Sequence, residues 1–329
     1  MPSLTPLTSF QALRDLREEW AGLLAVSSAN TLFLTPQWQE VWWDSFGDGK
    51  KVAGFCLRGP EGLVALASLA QQDGALAFLG NSDTFDYNDF MVRPGHEVAF
   101  YDALLGHLEQ TETGTLTLAS LRDGSPTLTL LPDLARQRGY RVEITQEDVA
   151  PGVVLPATWD DYVNGLSKKD RHELRRKLRR LETEANWRWY SLRGVEEVTS
   201  RLDDFFALMR LSRVDKAEYL TPQREEFFRR MARRTAELDL LRLSFMEMDG
   251  KPVAASICFD YGSSRLLYNS GNNPEYGYYS VGLLLHALCL REAIEKGMAY
   301  FDFLRGAEPY KYHLGGQDRI LYQMVVQRS

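Results

Sequence analysis

Little in this chain invites the common routes to catalysis. Its 329 residues hold three cysteines, Cys56, Cys258 and Cys289, an odd number without metal-ligand spacing. Buried thiols in a reducing, cytoplasmic compartment are therefore expected. The five histidines (His96, His107, His172, His286 and His313) are scattered, and His286 on an apolar stretch reads as a core or partly buried group. No metal is expected. There is no G-x-G-x-x-G opening a strand–helix–strand unit, no Walker loop, no H-E-x-x-H and no G-x-S-x-G elbow, which sets aside the chemistries those motifs carry. Val281–Leu290, the longest nearly uninterrupted apolar run, is about half of the ~20 residues a spanning helix needs. Met1-Pro2-Ser3-Leu4-Thr5-Pro6 lacks a basic region followed by an apolar one, so no secretory leader is expected. A net charge of −7 is unsuited to coating nucleic acid, and DNA is not an expected partner.

What the chain does contain is a duplication. Leu-Thr-Pro-Gln occurs at Leu34–Gln37 and again at Leu220–Gln223, each copy after an aromatic residue (Phe33, Tyr219) and three positions ahead of a glutamate (Glu40, Glu226). Thr at an N-cap with Pro at the first helical position starts a helix. Downstream of both copies the same elements follow in the same order. In the first half these are Lys51–Leu57, Leu63–Gln71 and Ala75–Leu79 as an antiparallel meander, a loop over Gly80–Gly95, a helix to Glu109 and a strand at Thr115–Ala119. In the second half, helices over Val195–Val214 and Pro222–Ala236 precede strands at Leu240–Met248, Pro252–Asp260 and Arg265–Ser270. A loop to Ser280, a helix Val281–Lys296 ended by Gly297, and strands Ala299–Leu304 and Ile320–Val326 complete it. The fold class is α/β (α+β), with two domains at 1–150 and 151–329, each a mixed, largely antiparallel sheet flanked by helices.

Charge is concentrated in one place. Between Ser167 and Arg180 lie Lys168, Lys169, Arg171, Arg175, Arg176, Lys177, Arg179 and Arg180 against Asp170 and Glu173, with Leu174, Leu178 and Leu181 at helical spacing and Ser167 with Asp170 as a capping box. This cationic helix is either a solvated face or a surface for a polyanion. Two stretches of the second half are suited to chemistry. From Asn269 and Ser270 a flexible loop runs into Ser280-Val281-Gly282-Leu283 at a helix start, where free N–H groups and the helix dipole favour an anion. From Asp302 the chain passes through Arg305, Glu308, Tyr310 and Lys311, where Asp302, Arg305 and Lys311 form either a structural ion-pair network or part of a site.

These residues resemble the GNAT acyltransferase superfamily. They are most similar to its CelD/BcsL-like branch, associated with exopolysaccharide synthesis and related to the Fem aminoacyltransferases of peptidoglycan cross-bridges. Phe33-Leu34-Thr35-Pro36-Gln37-Trp38, Asp86-Tyr87, Leu166-Ser167-Lys168-Lys169 and above all Asp302-Phe303-Leu304-Arg305-Gly306 with Glu308-Pro309-Tyr310-Lys311 carry the likeness. The resemblance implies tandem GNAT-like domains, with an acyl-CoA (acetyl-CoA) donor held in the second by Ser280, Val281, Gly282, Leu283, Asn269 and Ser270. It implies Lys311 at the reacting centre; main-chain N–H groups near Tyr268–Ser270 are the other candidate donors to the oxyanion, Glu308 or Asp302 the base, and Tyr310 or Tyr312 the acid. Asp86, Tyr87, Arg305, Lys168, Lys169 and Arg171 would contact the acceptor. Gly277-Tyr278-Tyr279-Ser280-Val281-Gly282 departs from the family's Q/R-x-x-G-x-G/A loop in its first residue and middle glycine. The expected function is acyl transfer from acyl-CoA to an amine or hydroxyl of a carbohydrate or envelope precursor. The alternatives are a Fem-like transferase using aminoacyl-tRNA and a catalytically silent binding module. The first domain is expected to bind acceptor without chemistry of its own.

Overall fold

The computed structural model describes residues 2–111 and 114–328; Met1, named in the leader expectation, lies outside them. The chain divides into two units, 1–149 with 319–329, and 150–318. Both copies of Leu-Thr-Pro-Gln start helices as their chemistry dictates. The Thr35 hydroxyl accepts from Trp38 N at 3.2 Å to open Pro36–Phe46, and Thr221 accepts from Arg224 N at 3.3 Å to open Pro222–Glu237. Replacing either threonine by alanine is expected to cost about 1 kcal/mol, read as a shift in urea midpoint at unchanged slope.

The described residues of the first unit form two sheets. Ser3–Leu7, Gly54–Gly59, Gly62–Ala67 and Met91–Val92 form the smaller; the larger has six strands in the order Lys51–Val52, Leu69–Gln72, Ala75–Phe78, Thr115–Arg122, Ile320–Arg328, Tyr140–Val149. The expected meander is thus broken at Ala53 and Ser68, where its strands pass from one sheet to the other. Apolar residues from both sheets, among them Phe55, Val64, Leu116 and Met324, pack with Phe100 and Leu104 of helix Glu97–Glu109 in one core.

The last strand corrects the expected boundary, which assigned everything from 151 to the C-terminus to the second domain. Ile320–Arg328 lies between Thr115–Arg122 and Tyr140–Val149, antiparallel to both. Leu321, Met324 and Val326 are buried, so this strand completes the first unit's core.

The second unit has a single six-stranded sheet in the order Gly152–Val154, Tyr300–Asp302, Ser264–Asn272, Lys251–Tyr261, Leu241–Met248, Trp187–Leu192. Every pairing is antiparallel except that of Ser264–Asn272 with Tyr300–Asp302. Leu241–Met248 is buried throughout, as a strand covered on both faces must be. One face packs against helices Val281–Glu295 and Lys168–Glu184; Phe205, Phe206 and Phe228, on helices Leu202–Ser212 and Pro222–Glu237, lie over the other beside Tyr268 and Phe259. At Gly271 the backbone of Leu202–Ser212 comes so close that a Cβ would sit 2.3 Å from Met209 N. The helix expected over Val195–Val214 is interrupted after Ser200 and Ser212, and a separate short helix, Val214–Tyr219, follows. Among the described residues no helix is long and apolar enough to cross a membrane.

Candidate functional site

The parallel strands Ser264–Asn272 and Tyr300–Asp302 stay paired for only three residues, Ser264 with Tyr300 through Leu266 with Asp302. Beyond that register they are no longer bonded. A cavity of about 440 Å³ opens there, lined by Ser270 and Asn272 of the first strand, by Glu308, Pro309 and Tyr310 that follow the second, and by Ser280, Val281, Gly282, Leu283 and His286. Five of the six residues expected to hold a donor therefore line one cleft. The sixth, Asn269, turns its side-chain oxygen to Ser270 N at 2.8 Å and to Lys216 Nζ at 3.2 Å. The Ser270 N–H, expected among the oxyanion donors, is thereby occupied.

The helix start has the properties an anion needs. Ser280 sits in the left-handed region (φ 55°) as N-cap of the 15-residue helix Val281–Glu295, and no side chain caps that helix. The first N–H groups of a helix have no acceptor within it, so those of Val281, Gly282 and Leu283 are left for whatever occupies the cleft. The cationic helix Lys168–Glu184 lies against the same loop. Lys177 Nζ donates to Ser280 Oγ at 2.7 Å, and Arg180 donates to Tyr278 O at 2.8 Å while stacking over the Tyr278 ring at 4.2 Å. Ser167 caps this helix by accepting from Asp170 N at 3.1 Å.

Lys311 has a different place from the one expected. It is only 2 % exposed, and Nζ donates to the carbonyls of Leu304, Arg305 and Gly306 at 2.9, 2.6 and 2.9 Å and pairs with Glu308 Oε2 at 2.9 Å. The three carbonyls belong to a turn with Leu304 at φ 58° and Gly306 at φ 106°. Lys311 is the clasp of that turn, and the residues it clasps put Glu308 and Tyr310 on the cleft wall. Asp302 serves the same turn: buried, it accepts from Leu304 N at 2.9 Å and is not on the cleft wall. Of the four residues proposed for catalysis, Glu308 and Tyr310 line the cleft. The Glu308 carboxyl is held below its ordinary value: burial opposes this, but Lys311 outweighs it. Burial raises Tyr310, which stays protonated.

The acceptor-contact residues are dispersed. Lys168 and Lys169 are exposed, and Lys169 borders a separate cavity of about 280 Å³ with Lys177, Leu283 and His313. Arg171 donates to Asn164 O at 2.8 Å, and Arg305 contributes its carbonyl to Lys311. Asp86 and Tyr87 belong to the first unit, where the Tyr87 ring is buried against Phe33, with the Arg122 guanidinium 5.4 Å from its centroid.

Two cleft residues were not recognised as site residues. Lys216, on the short helix Val214–Tyr219, donates to Ser270 O at 2.5 Å and to Asn269 Oδ1 at 3.2 Å. Burial pushes its ammonium down to about 8, with Glu308 opposing and Arg213 assisting. His286 is 4 % exposed, both ring nitrogens lack a hydrogen-bond partner, and burial pushes its pKa to about 3, so the imidazole is neutral. Among the described residues no group of three or more His, Cys, Asp or Glu could hold a metal ion.

Residues 168–312 match the family described as acetyltransferase (GNAT) domain. The matched stretch lies wholly within the second unit. No curated relative matches the chain. Among solved structures it is similar to FemX (TM-score 0.67, 10% identity, 98% of this chain and 96% of that one). It is also similar to a conserved protein of unknown function from Bacteroides thetaiotaomicron (0.60, 12%, 99% and 100%) and to a tandem GNAT protein from the clavulanic acid biosynthesis pathway (0.52, 13%, 98% and 98%). These likenesses extend over nearly the whole chain and show the fold, which is that of tandem GNAT proteins.

Proposed function

We propose that the GNAT domain transfers an acyl group from a coenzyme A thioester to a hydroxyl or amine of a carbohydrate or envelope precursor, as in the CelD/BcsL-like branch. The observation that carries this reading is the uncapped start of helix Val281–Glu295 at the mouth of a cleft between parted parallel strands. Main-chain N–H groups and the helix dipole there suit a diphosphate, and Lys177 and Arg180 stand beside them. In the first unit the corresponding helix, Glu97–Glu109, opens on an acidic residue, whereas the first turn of Val281–Glu295 has none, which favours donor binding in the second unit.

Within the cleft, neutral Lys216 takes the proton of the acceptor as its oxygen or nitrogen attacks the thioester carbon. The C–S bond breaks as the tetrahedral adduct collapses, and Tyr310 protonates the departing sulfur. Lys216 returns the proton to Tyr310 through water. Glu308 accepts a hydrogen bond from the acceptor, and Lys311 and Asp302 hold the turn that presents Glu308 and Tyr310.

The test is a comparison of coenzyme A with pantetheine, which lacks the diphosphate. At a hundredfold excess over Kd, coenzyme A is expected to stabilise the protein by about 2.7 kcal/mol, whereas pantetheine at the same concentration leaves Tm unchanged. Equal shifts from the two would remove the phosphate grip. The cationic helix favours a second reading, an aminoacyl-tRNA donor. Charged tRNA would then bind with a steep inverse dependence on salt that coenzyme A lacks. No response to either donor would make the chain a silent binding module.

A further inference from the structure

A buried imidazole with neither nitrogen bonded is a poor choice for a helical stretch, Val281–Leu290, otherwise made of Val, Gly, Leu, Ala and Cys. His286 is such a group on Val281–Glu295, in contact with the Tyr310 ring (4.7 Å between centroids) and on the wall of the cleft. Leucine or phenylalanine would fill the same space without burying two unmet polar atoms. His286 lines a cavity of about 440 Å³ in which a bound molecule can answer those nitrogens. A hydrocarbon acyl chain beside His286 would leave both unmet.

The neighbouring charges narrow the choice. The Lys216 ammonium has three donors, of which Ser270 O and Asn269 Oδ1 engage two. Arg213 on the same wall is paired with Asp215, and the Glu308 carboxylate is paired with Lys311. The donor that Lys216 has left in its ammonium form is met by an oxygen and not by another cation. A neutral imidazole offers one N–H and one lone pair, which suits a hydroxyl or an acceptor oxygen. From these groups, and resting on the transferase reading above, we infer that the cleft takes a substrate bearing a hydroxyl or carboxylate oxygen next to the reacting centre, read by the His286 imidazole. The oxygen belongs either to the acyl group or to the acceptor.

Two titration arms separate these sources. In the first, calorimetry compares butyryl-CoA with 3-hydroxybutyryl-CoA and succinyl-CoA. In the second, free coenzyme A is held at saturation and 3-hydroxybutyrate is compared with butylamine, the bound state being read from the ¹⁵N shifts of the His286 ring. One hydrogen bond's difference, about tenfold in affinity, is expected in favour of the oxygenated probe. Its appearance in the first arm puts the oxygen on the acyl group; its appearance in the second alone puts it on the acceptor. His286→Leu is expected to reduce the ratio to about one with the affinity for free coenzyme A unchanged. His286→Phe, which keeps the ring against Tyr310, does the same if the leucine variant folds poorly. Equal affinities in both arms, or discrimination that survives the loss of the imidazole, would overturn the inference. If coenzyme A does not bind at all, the donor reading fails instead. The second arm run without it then decides this inference alone: a preference for 3-hydroxybutyrate upholds it, and its absence overturns it.

Discussion

Lys311→Ala is expected to unfold the second unit more readily by about 3–5 kcal/mol and to abolish turnover as a consequence. The ammonium is buried and has four acceptors within 2.9 Å: the carbonyls of Leu304, Arg305 and Gly306 and the Glu308 carboxylate. Alanine leaves all four without their cation, and an unmet buried acceptor costs about 1–3 kcal/mol. It also releases a turn containing Leu304 at φ 58°, a conformation that a leucine adopts only when its surroundings enforce it. Glu308 and Tyr310 follow that turn directly, so the cleft wall loosens with it. Lys311→Met fills the volume but restores no donor and should lose nearly as much. Urea titration followed by tryptophan fluorescence measures the loss, and donor affinity measured alongside shows the damage to the cleft. A Lys311→Ala protein with an unaltered midpoint and no turnover would contradict the clasp and put the ammonium back at the reacting carbon.

This reassignment shows where reading the sequence stops. The identity of Lys311 was legible, and so was its nearness to Glu308 and Tyr310, because both follow from position in the chain. The direction of its side chain was not, since three main-chain carbonyls converge only once the Leu304–Gly306 turn exists. The helix start at Val281 was easier, because it is a local event that Ser280 and Gly282 announce. The duplication was legible for the same reason, through two threonine caps each followed by proline. Non-local facts were hidden. Ile320–Arg328 reads as a strand, but nothing in it names Thr115–Arg122 and Tyr140–Val149 as its partners. Lys216 was obscured by apolar periodicity that continued to Val214, whereas the chain leaves the helix at Arg213 (φ −161°) and begins a new one beside Ser270. For His286 the burial was expected from its apolar neighbours; the two unmet nitrogens depend on what faces the helix across the cleft.

Lys216→Met is expected to lower kcat by about 10²–10⁴-fold, the contribution of a positioned general base, with little loss of stability. Methionine occupies similar volume and relieves the burial of a charge but leaves Ser270 O and Asn269 Oδ1 without their donor, so a net loss of no more than about 1 kcal/mol is expected in thermal unfolding. The pH profile carries the assignment. With the ammonium drawn down to about 8, the neutral fraction grows tenfold per pH unit below that value. The logarithm of kcat/KM should then rise with unit slope to about pH 8 and level off. The other cleft groups leave this window clear. Glu308 is held below the carboxylate range, His286 titrates near 3 and Tyr310 is raised above its ordinary value. Lys216→Arg separates base from cation, because a guanidinium keeps the charge and cannot lose its proton in this range. If Lys216 is the base, the arginine variant is as slow as the methionine variant and its rate no longer rises toward pH 8. If the charge itself stabilises the oxyanion, arginine restores much of the rate and the wild-type profile falls above about 8 instead of rising. The slope of one curve on either side of that pH therefore decides which protonation state of Lys216 does the chemistry.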